Sequence, residues 1–396
     1  MLEVSAALDA VLARTSAGSP VIEQLTPALL GRVLAEAVAS DIDSPPFKKA
    51  LMDGYAVRSA DATGLAALTV VEEIAAGRVG TKTIGPGQAA RIMTGAPIPD
   101  GADAVVPHEK TELAGSRVRV LRAVPAGEFV LNRGAEMTAG QTVLEPGTAF
   151  SPAVLGLLAA VGRTAAHVYP ASRLAVVTTG DELVDPPAVP GPGQIRNSNG
   201  PMLLAQAVRA GAQARPLGIA GDDRDRLAAL VSDGLTADVV VLSGGVSAGK
   251  FDFVPEVLSA FGVETHFHKV RMKPGKPLLF GTRGGTLVFG LPGNPVSSFV
   301  AFELFVRPAL RKRAGHAMPG PAFVPLPLAG KFRASNNRPT YAPARLEWTA
   351  AGVAVRPLEW FGSADLRGLT SADALIQLPP GDVAFVAGHP VPTLLC

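Results

Sequence analysis

Apolar positions in this chain change their period several times, and each change marks a new kind of element. Val4, Leu8, Val11 and Leu12 recur at helical spacing and predict an amphipathic first helix. Thr26-Pro27 reads as an N-cap and first helical position, opening a second helix through Leu29, Leu30, Val33 and Leu34. Over 69–131 the pattern shortens to strands at 69–74, 89–93, 104–106 and 117–121, with Gly85-Pro-Gly87, Pro99-Asp-Gly101 and Ala114-Gly115 between them. That is a small all-β module. Ser151-Pro152 then starts a third helix, 153–161, apolar all round and so expected to be buried against the first two. On this reading the β module is an insertion into a helical domain.

From 173 to 311 strands and helices alternate. Strands are predicted at 174–178, 213–219, 238–242, 263–268 and 286–289, and helices at 202–210, 224–230, 251–261 and 296–310. Asn197-Ser-Asn199 is placed to cap the first of these helices. The alternation predicts a mainly parallel, doubly wound α/β sheet, which binds ligands at the carboxyl ends of its strands. Beyond Pro319 short β segments return with Pro/Gly turns, as in a small barrel or sandwich. The expected division is therefore 1–42 with 132–170 (helical, elongated), 43–131 (inserted β), 171–317 (α/β) and 318–396 (β-barrel-like).

Composition narrows the function classes. Thirty-six basic and 34 acidic residues leave a formal charge of +2, too balanced to imply nucleic acid or a membrane surface as partner. No apolar run approaches the length of a membrane span. The start, MLEVSAALDAVLART, carries Glu3 and Asp9 without a basic region, unlike a secretory leader. The only cysteine is Cys396, so no disulfide can form within the chain, and a reducing cytoplasm is the expected compartment. Six histidines with no close His/Cys pairing argue against zinc.

The polar, glycine-rich sequences of the α/β region all follow strands: Thr178-Thr-Gly180-Asp181-Glu182, Ala220-Gly-Asp222-Asp223, Ser243-Gly-Gly-Val-Ser247-Ala-Gly249-Lys250 and Leu291-Pro-Gly293-Asn294-Pro295. Four such loops on one rim predict an anion site, because small residues admit a ligand to backbone N–H groups. Lys250 would add a cation, and Asp252 a carboxylate able to hold Mg²⁺ beside a phosphate. Ser297-Ser298 could cap their helix or meet a phosphate. Lys269, Arg271, Lys273 and Lys276 place four cations in eight residues, in what Pro274 and Pro277 mark as a loop. It is either a solvated charge run or part of the anion site. Asp53-Gly54 reads as a hairpin turn, Thr94 as part of another turn, and 362–367 as a polar surface loop.

Taken together, MDGYAV at 52–57, RIMTGAPIPDGADAVV at 91–106, TTGDEL at 178–183, SGGVS at 243–247, KPGKP at 273–277, LPGNPVSS at 291–298 and GSADLRGLTSADALIQLP near the C-terminus closely resemble the molybdopterin molybdenumtransferase family. Bacterial MoeA and the E domain of gephyrin belong to that family. The resemblance implies Mg²⁺-assisted insertion of molybdate into adenylylated molybdopterin with release of AMP. It assigns catalytic positions to Asp53, Thr94, Glu182, Asp222 and Asp252, the last three of them also as metal ligands. It extends substrate binding to Lys273, Lys276, Pro292, Gly293, Asn294, Pro295 and Ser297, alongside Ser243, Gly244, Gly245, Ser247 and Lys250 of the glycine loop. It further implies an elongated four-domain homodimer with shared active sites, and a transient contact with the adenylyltransferase that makes the substrate. Two departures stand out: Phe47-Lys48-Lys49-Ala50-Leu51 where Asp and Ser are common, and Ala135-Glu136 where a further acid is common. A nucleotidyltransferase of the adenylyltransferase type, or a gephyrin-like scaffold, are the alternatives. MDGYA and LPGNP count against the first, and the lack of gephyrin's second enzyme domain counts against the second.

Overall fold

In the computed structural model, which describes residues 1–246, 253–350 and 352–396, the run Val239–Ser243 is buried at all five positions. It is an interior strand of a six-stranded sheet. We label its strands β1 (Arg173–Thr178), β2 (Gln213–Ile219), β3 (Val239–Ser243), β4 (Glu264–Lys269), β5 (Pro277–Arg283) and β6 (Thr286–Leu291). Their order is β2-β1-β3-β6-β5-β4. The pairs β2-β1, β1-β3 and β3-β6 are parallel, and β6-β5 and β5-β4 antiparallel.

Alternation along β3 explains why that strand has no polar face. Val239 and Val241 join one core cluster with Leu203, Val296 and Val300, while Val240 and Leu242 join another with Leu227, Val231, Val254 and Leu258. Helices thus cover both faces, and each fully buried aliphatic side chain contributes about 1.5–3 kcal/mol. The strand β5 was not expected, because Pro274 and Pro277 suggested an uninterrupted loop. Pro277 stands at the first position of β5, opposite Lys269, where a missing N–H is tolerated.

The single helix expected over 296–310 is interrupted. Pro295–Ala301 and Arg307–Arg313 are α-helical, and the π-turn Phe302–Val306 between them is buried throughout. Glu303 in that turn is fully buried, and meets Arg209 at 2.6 Å, Gln206 at 2.7 Å and Arg307 at 3.0 Å. Leaving that carboxylate without its cations would be strongly destabilising.

The chain separates into two compact units, one of Met1–Ala35, Gly147–Pro152 and Ala165–Cys396, the other of Glu36–Pro146 and Ala153–Thr164. In the first unit the helix Val4–Ala13 buries Ala7 and Val11 in the α/β core. The predicted second helix is only the 3₁₀ turn Pro27–Leu29, since Leu30 takes an extended ψ of 129°. Val33 and Leu34 then form bridges to Ala149 and Val168, so tertiary pairing overrides their helical spacing. The third helix forms as Pro152–Ala160 but buries only Leu158, and its residues from Ala153 lie in the second unit. Within the stretches 1–42 and 132–170, expected to be helical and elongated, antiparallel ribbons also form, Val21–Gln24 with Ala165–Val168 and Val38–Ala39 with Thr142–Leu144.

The second unit is built on a six-stranded sheet in which Gly54–Val57 lies between Ala104–Pro107 and Gln88–Ile92. Tyr55 and Val57 face one core cluster and Ala56 the other, the period of two expected of a strand. At the C-terminus of the first unit, Phe323–Pro327, Pro390–Leu395, Ala374–Leu378, Thr340–Thr349 and Gly352–Pro357 form a five-stranded antiparallel sheet. A bridge from Leu328 to Val355 curls its ends towards each other around Ile376, Phe385 and Val391. The barrel-like module expected there is present.

Candidate functional site

β1 is joined to β2 on one side of the sheet and β3 lies on its other side, so a crevice opens between the carboxyl ends of β1 and β3. A cavity of about 720 Å³ occupies that position. It is lined by Thr178, Thr179, Gly180, Glu182 and Leu183 at and after the end of β1, by Ile195, Arg196, Asn197, Ser198 and Asn199 running into the start of the following helix, by Asp222 after β2, by Ser243, Gly244, Gly245 and Val246 at and after the end of β3, and by Pro292, Gly293, Asn294 and Pro295 after β6. The four strand-ending loops predicted to share a rim therefore do so. Pro277 and, from the C-terminal module, Ala364 and Leu366 also line it, so the polar segment 362–367, expected to be a surface loop, forms part of the wall.

The turn after β3 is shaped by a close backbone approach. Gly244 has φ +95°, and a Cβ there would lie 2.4 Å from the Thr179 carbonyl oxygen. Only glycine fits, and the turn lies open to the cavity beside it. Beneath it runs a buried polar layer. Asn199 Nδ2 donates to Ser243 Oγ at 2.8 Å and to the Gly293 carbonyl at 2.6 Å. Ser243 Oγ lies 3.3 Å from the Pro292 carbonyl and 3.4 Å from Ser298 Oγ, and Ser298 Oγ donates to that same carbonyl.

The sequence pattern gives Asn199 only the place of a helix cap. Asn197 does the capping, its Oδ1 accepting from Gly200 N at 3.0 Å, which frees Asn199 for the loops. A second asparagine beside a capping asparagine was the available signal. Ser297, expected to meet substrate, is 4 % exposed and does not line the cavity. Ser298 supplies the hydroxyl of the polar layer instead.

Two carboxylates face the cavity, Glu182 and Asp222, and Asp222 N donates to Asp181 Oδ1 at 2.7 Å. Ser247, Lys250 and Asp252 lie outside the described residues. Among the described residues no group of three or more His, Cys, Asp or Glu is placed to hold a metal. A pair of oxygen donors without sulfur or imidazole nevertheless suits Mg²⁺, which takes one or two carboxylates and fills its shell with water and phosphate.

The cation loop is largely committed to structure. Lys273 Nζ donates to Asn336 Oδ1 at 2.9 Å, its N–H bonds to the Pro339 carbonyl, and its carbonyl accepts from Tyr341 N. Arg271 pairs with Glu3 at 3.2 Å. Lys276 is exposed, and neither lysine lines the cavity, although the adjoining Pro277 does.

In the second unit Asp53 and Thr94, far apart in sequence, are brought together. Thr94 N and Thr94 Oγ1 each donate to Asp53 Oδ1 at 2.7 Å. These two bonds, the backbone one first, hold the Asp53 carboxyl below the usual aspartate range. The two departures from the family pattern answer each other: Lys49 Nζ pairs with Glu136 Oε1 at 3.1 Å, while Ser44 Oγ donates to Glu136 Oε2 at 2.7 Å. A lysine in one segment matches the acid in the other.

Comparison with known proteins covers nearly the whole chain. Residues 2–162 match the MoeA N-terminal region (domains I and II), 175–312 a probable molybdopterin binding domain, and 325–396 the MoeA C-terminal region (domain IV). A molybdopterin molybdenumtransferase of Staphylococcus aureus is 36 % identical over 372 residues, 92 % of this chain and 89 % of that one. The Staphylococcus epidermidis protein of the same name is also 36 % identical over the same shares. The crystal structure of a molybdopterin biosynthesis MoeA protein from Pyrococcus horikoshii OT3 superposes with a TM-score of 0.87 at 28 % identity, covering all of both chains.

Proposed function

Since the chain belongs to the molybdopterin molybdenumtransferase family and is a transferase of molybdenum cofactor biosynthesis, we propose that the cavity at the carboxyl ends of β1, β3 and β6 takes adenylylated molybdopterin. Molybdate is inserted into the pterin there and AMP is released. The observation that carries this placement is the joining of four glycine- and hydroxyl-rich loops around one cavity of about 720 Å³. A phosphoanhydride needs backbone N–H groups close to its oxygens, and Gly244-Gly245 in the turn after β3 offers backbone without intervening side chains. Glu182 and Asp222, with Asp252 as a third candidate, would hold Mg²⁺, which when bound would offset phosphate charge. Asn294 and the prolines about it form a stiff wall against which the substrate is oriented. Lys276, and Lys250 of the glycine loop, would draw the anionic substrates in.

The finer reading extends to organisation. We propose the four-part division 1–42 with 132–170, 43–131, 171–317 and 318–396, and a homodimer whose active sites are shared between copies. Every cavity-lining residue comes from the first unit, whereas Asp53 and Thr94 belong to the second. A second copy would supply them. A cytoplasmic location and a transient handover from the adenylyltransferase complete the proposal. No helix of the described residues is long and apolar enough to cross a membrane.

The test is to give the pure protein adenylylated molybdopterin, molybdate and Mg²⁺ and to follow AMP. Molybdate-dependent AMP release is expected. Folded protein that releases none would sink the proposal.

A further inference from the structure

The buried polar layer in the cavity wall has a direction. An amide nitrogen can only donate, so Ser243 Oγ must accept from Asn199 Nδ2. The single Ser243 proton is then directed onward, to Ser298 Oγ or to the Pro292 carbonyl. Ser298 spends its own proton on that carbonyl, leaving its oxygen free to accept. The chain therefore runs from Asn199 through Ser243 and Ser298 to Pro292, and the other Asn199 proton closes it at the Gly293 carbonyl. Asn199, Ser243 and Ser298 are 8 %, 2 % and 0 % exposed, so these bonds are largely shielded from water although Asn199 and Ser243 border the cavity. In this arrangement the Ser243 hydroxyl has no proton left for a substrate phosphate.

We infer that Asn199, which lines the cavity beside Ser243, is a positioning residue for the reaction, acting through the bonds of its amide nitrogen to Ser243 and to the Pro292–Gly293 backbone. Its amide fixes the spacing between the loop after β3 and the loop after β6, and so places the substrate-facing backbone of both. Ser243 belongs to the same device and is a link in it, not a direct phosphate ligand. The inference rests on the proposed AMP-releasing activity of this cavity.

A double-mutant cycle tests it. Asn199→Ala, Ser243→Ala and the double variant are compared with wild type for AMP release over a range of adenylylated molybdopterin, with AMP affinity measured by calorimetry on each folded protein. If both residues act through one chain, each single change raises KM on the order of tenfold while kcat falls less, and the double variant is no worse than the poorer single one. Losses that multiply in the double variant would mean separate roles and would overturn the inference. So would an unchanged KM and AMP affinity accompanied only by a lower melting temperature, the outcome for a merely structural asparagine. Should Asn199→Ala not fold, Asn199→Asp replaces it in the cycle. The aspartate keeps the shape but turns a carboxylate towards the Gly293 carbonyl, so the same KM increase is expected, and wild-type KM would overturn the inference. Wild-type protein that neither binds nor releases AMP would instead refute the functional reading itself.

Discussion

Asn294 Nδ2 donates to Ser363 Oγ at 2.8 Å, and two residues on, Val296 N donates to the Ser363 carbonyl at 3.0 Å. One serine of the C-terminal module thus holds both the tip of the loop after β6 and the first turn of its helix. Ala364 and Leu366 follow it into the cavity wall. The C-terminal module is part of the site, not an appendage to it.

Replacing Ser363 with alanine removes the side-chain bond and leaves the backbone one. The Asn294–Ser363 pair is solvent-exposed, so the cost in stability should be at most about 1 kcal/mol. The effect on function should be larger in relative terms, because Asn294 regains rotational freedom. We expect Ser363→Ala to raise KM for the adenylylated pterin several-fold at nearly constant kcat, measured by AMP release. Wild-type KM would show that the latch does not position Asn294.

Two glycines in the second unit should respond in opposite directions to alanine. At Gly54, in the middle of three paired strands, a Cβ would lie 2.0 Å from the Val106 carbonyl oxygen. Gly54→Ala should destabilise by about 3 kcal/mol or more, since backbone of a central strand cannot move aside. Gly156 sits inside the helix Pro152–Ala160 with nothing within 4 Å of its Cβ position. Gly156→Ala should stabilise by roughly 0.5–1 kcal/mol. Denaturant titration of both variants decides the matter.

Much of this fold was legible because its signals were local and redundant. The run Val239–Leu242 and the helix Arg224–Gly234, capped by Asp223 through two backbone bonds, follow from hydrophobic period and cap chemistry alone. Gly/Ser-rich loops after β1, β3 and β6 implied a common rim through topology. What failed depended on partners remote in sequence. Val33 and Leu34 have helical spacing yet pair with Ala149 and Val168. The apolar helix Pro152–Ala160 has its neighbours decided by the rest of the fold. Asn199 looked like one more cap because nothing local shows Ser243 and Gly293 converging on it. Lys273 looked free because Asn336 lies 63 residues away.

Asp53 should leave a signature in acid. Thr94 donates two bonds to its carboxylate, lowering its folded pKa. The folded state therefore binds fewer protons than the unfolded one in this window. Its contribution to stability is complete above the ordinary aspartate value and is lost as pH falls through the lowered folded value. Urea midpoints of wild type and Asp53→Asn, compared from about pH 6 to about pH 3, should differ most at the upper end, the wild-type advantage shrinking in acid. A difference independent of pH would remove the ionised Asp53–Thr94 bond from the account.

The two lysines of the KPGKP segment should separate. Lys273 is bonded to Asn336 and does not line the cavity, so Lys273→Ala should act chiefly by lowering the melting temperature. Lys276 is exposed, and Lys276→Ala should leave the melting temperature unchanged. If it draws in anions, its KM increase should be largest at low ionic strength and fade as the Debye length falls to about 8 Å. A Lys276 variant with wild-type KM at low salt would return it to the solvated surface.

The shared site makes the sharpest prediction. Asp53 belongs to the second unit and Asp222 to the cavity of the first. In a two-fold dimer with sites shared between copies, each site takes Asp53 from one chain and Asp222 from the other. Asp53→Ala and Asp222→Ala homodimers should each be nearly inactive, since every site lacks one carboxylate. After subunit exchange, a mixed dimer holds one site with both carboxylates and one with neither. Random exchange makes about half of the dimers mixed, so activity should return to roughly a quarter of wild type. Were each site built within a single chain, every site in every mixture would still lack one carboxylate and nothing would be regained. Exchange verified by mass spectrometry, with AMP release remaining at the level of the separate variants, would therefore refute the sharing of sites between copies.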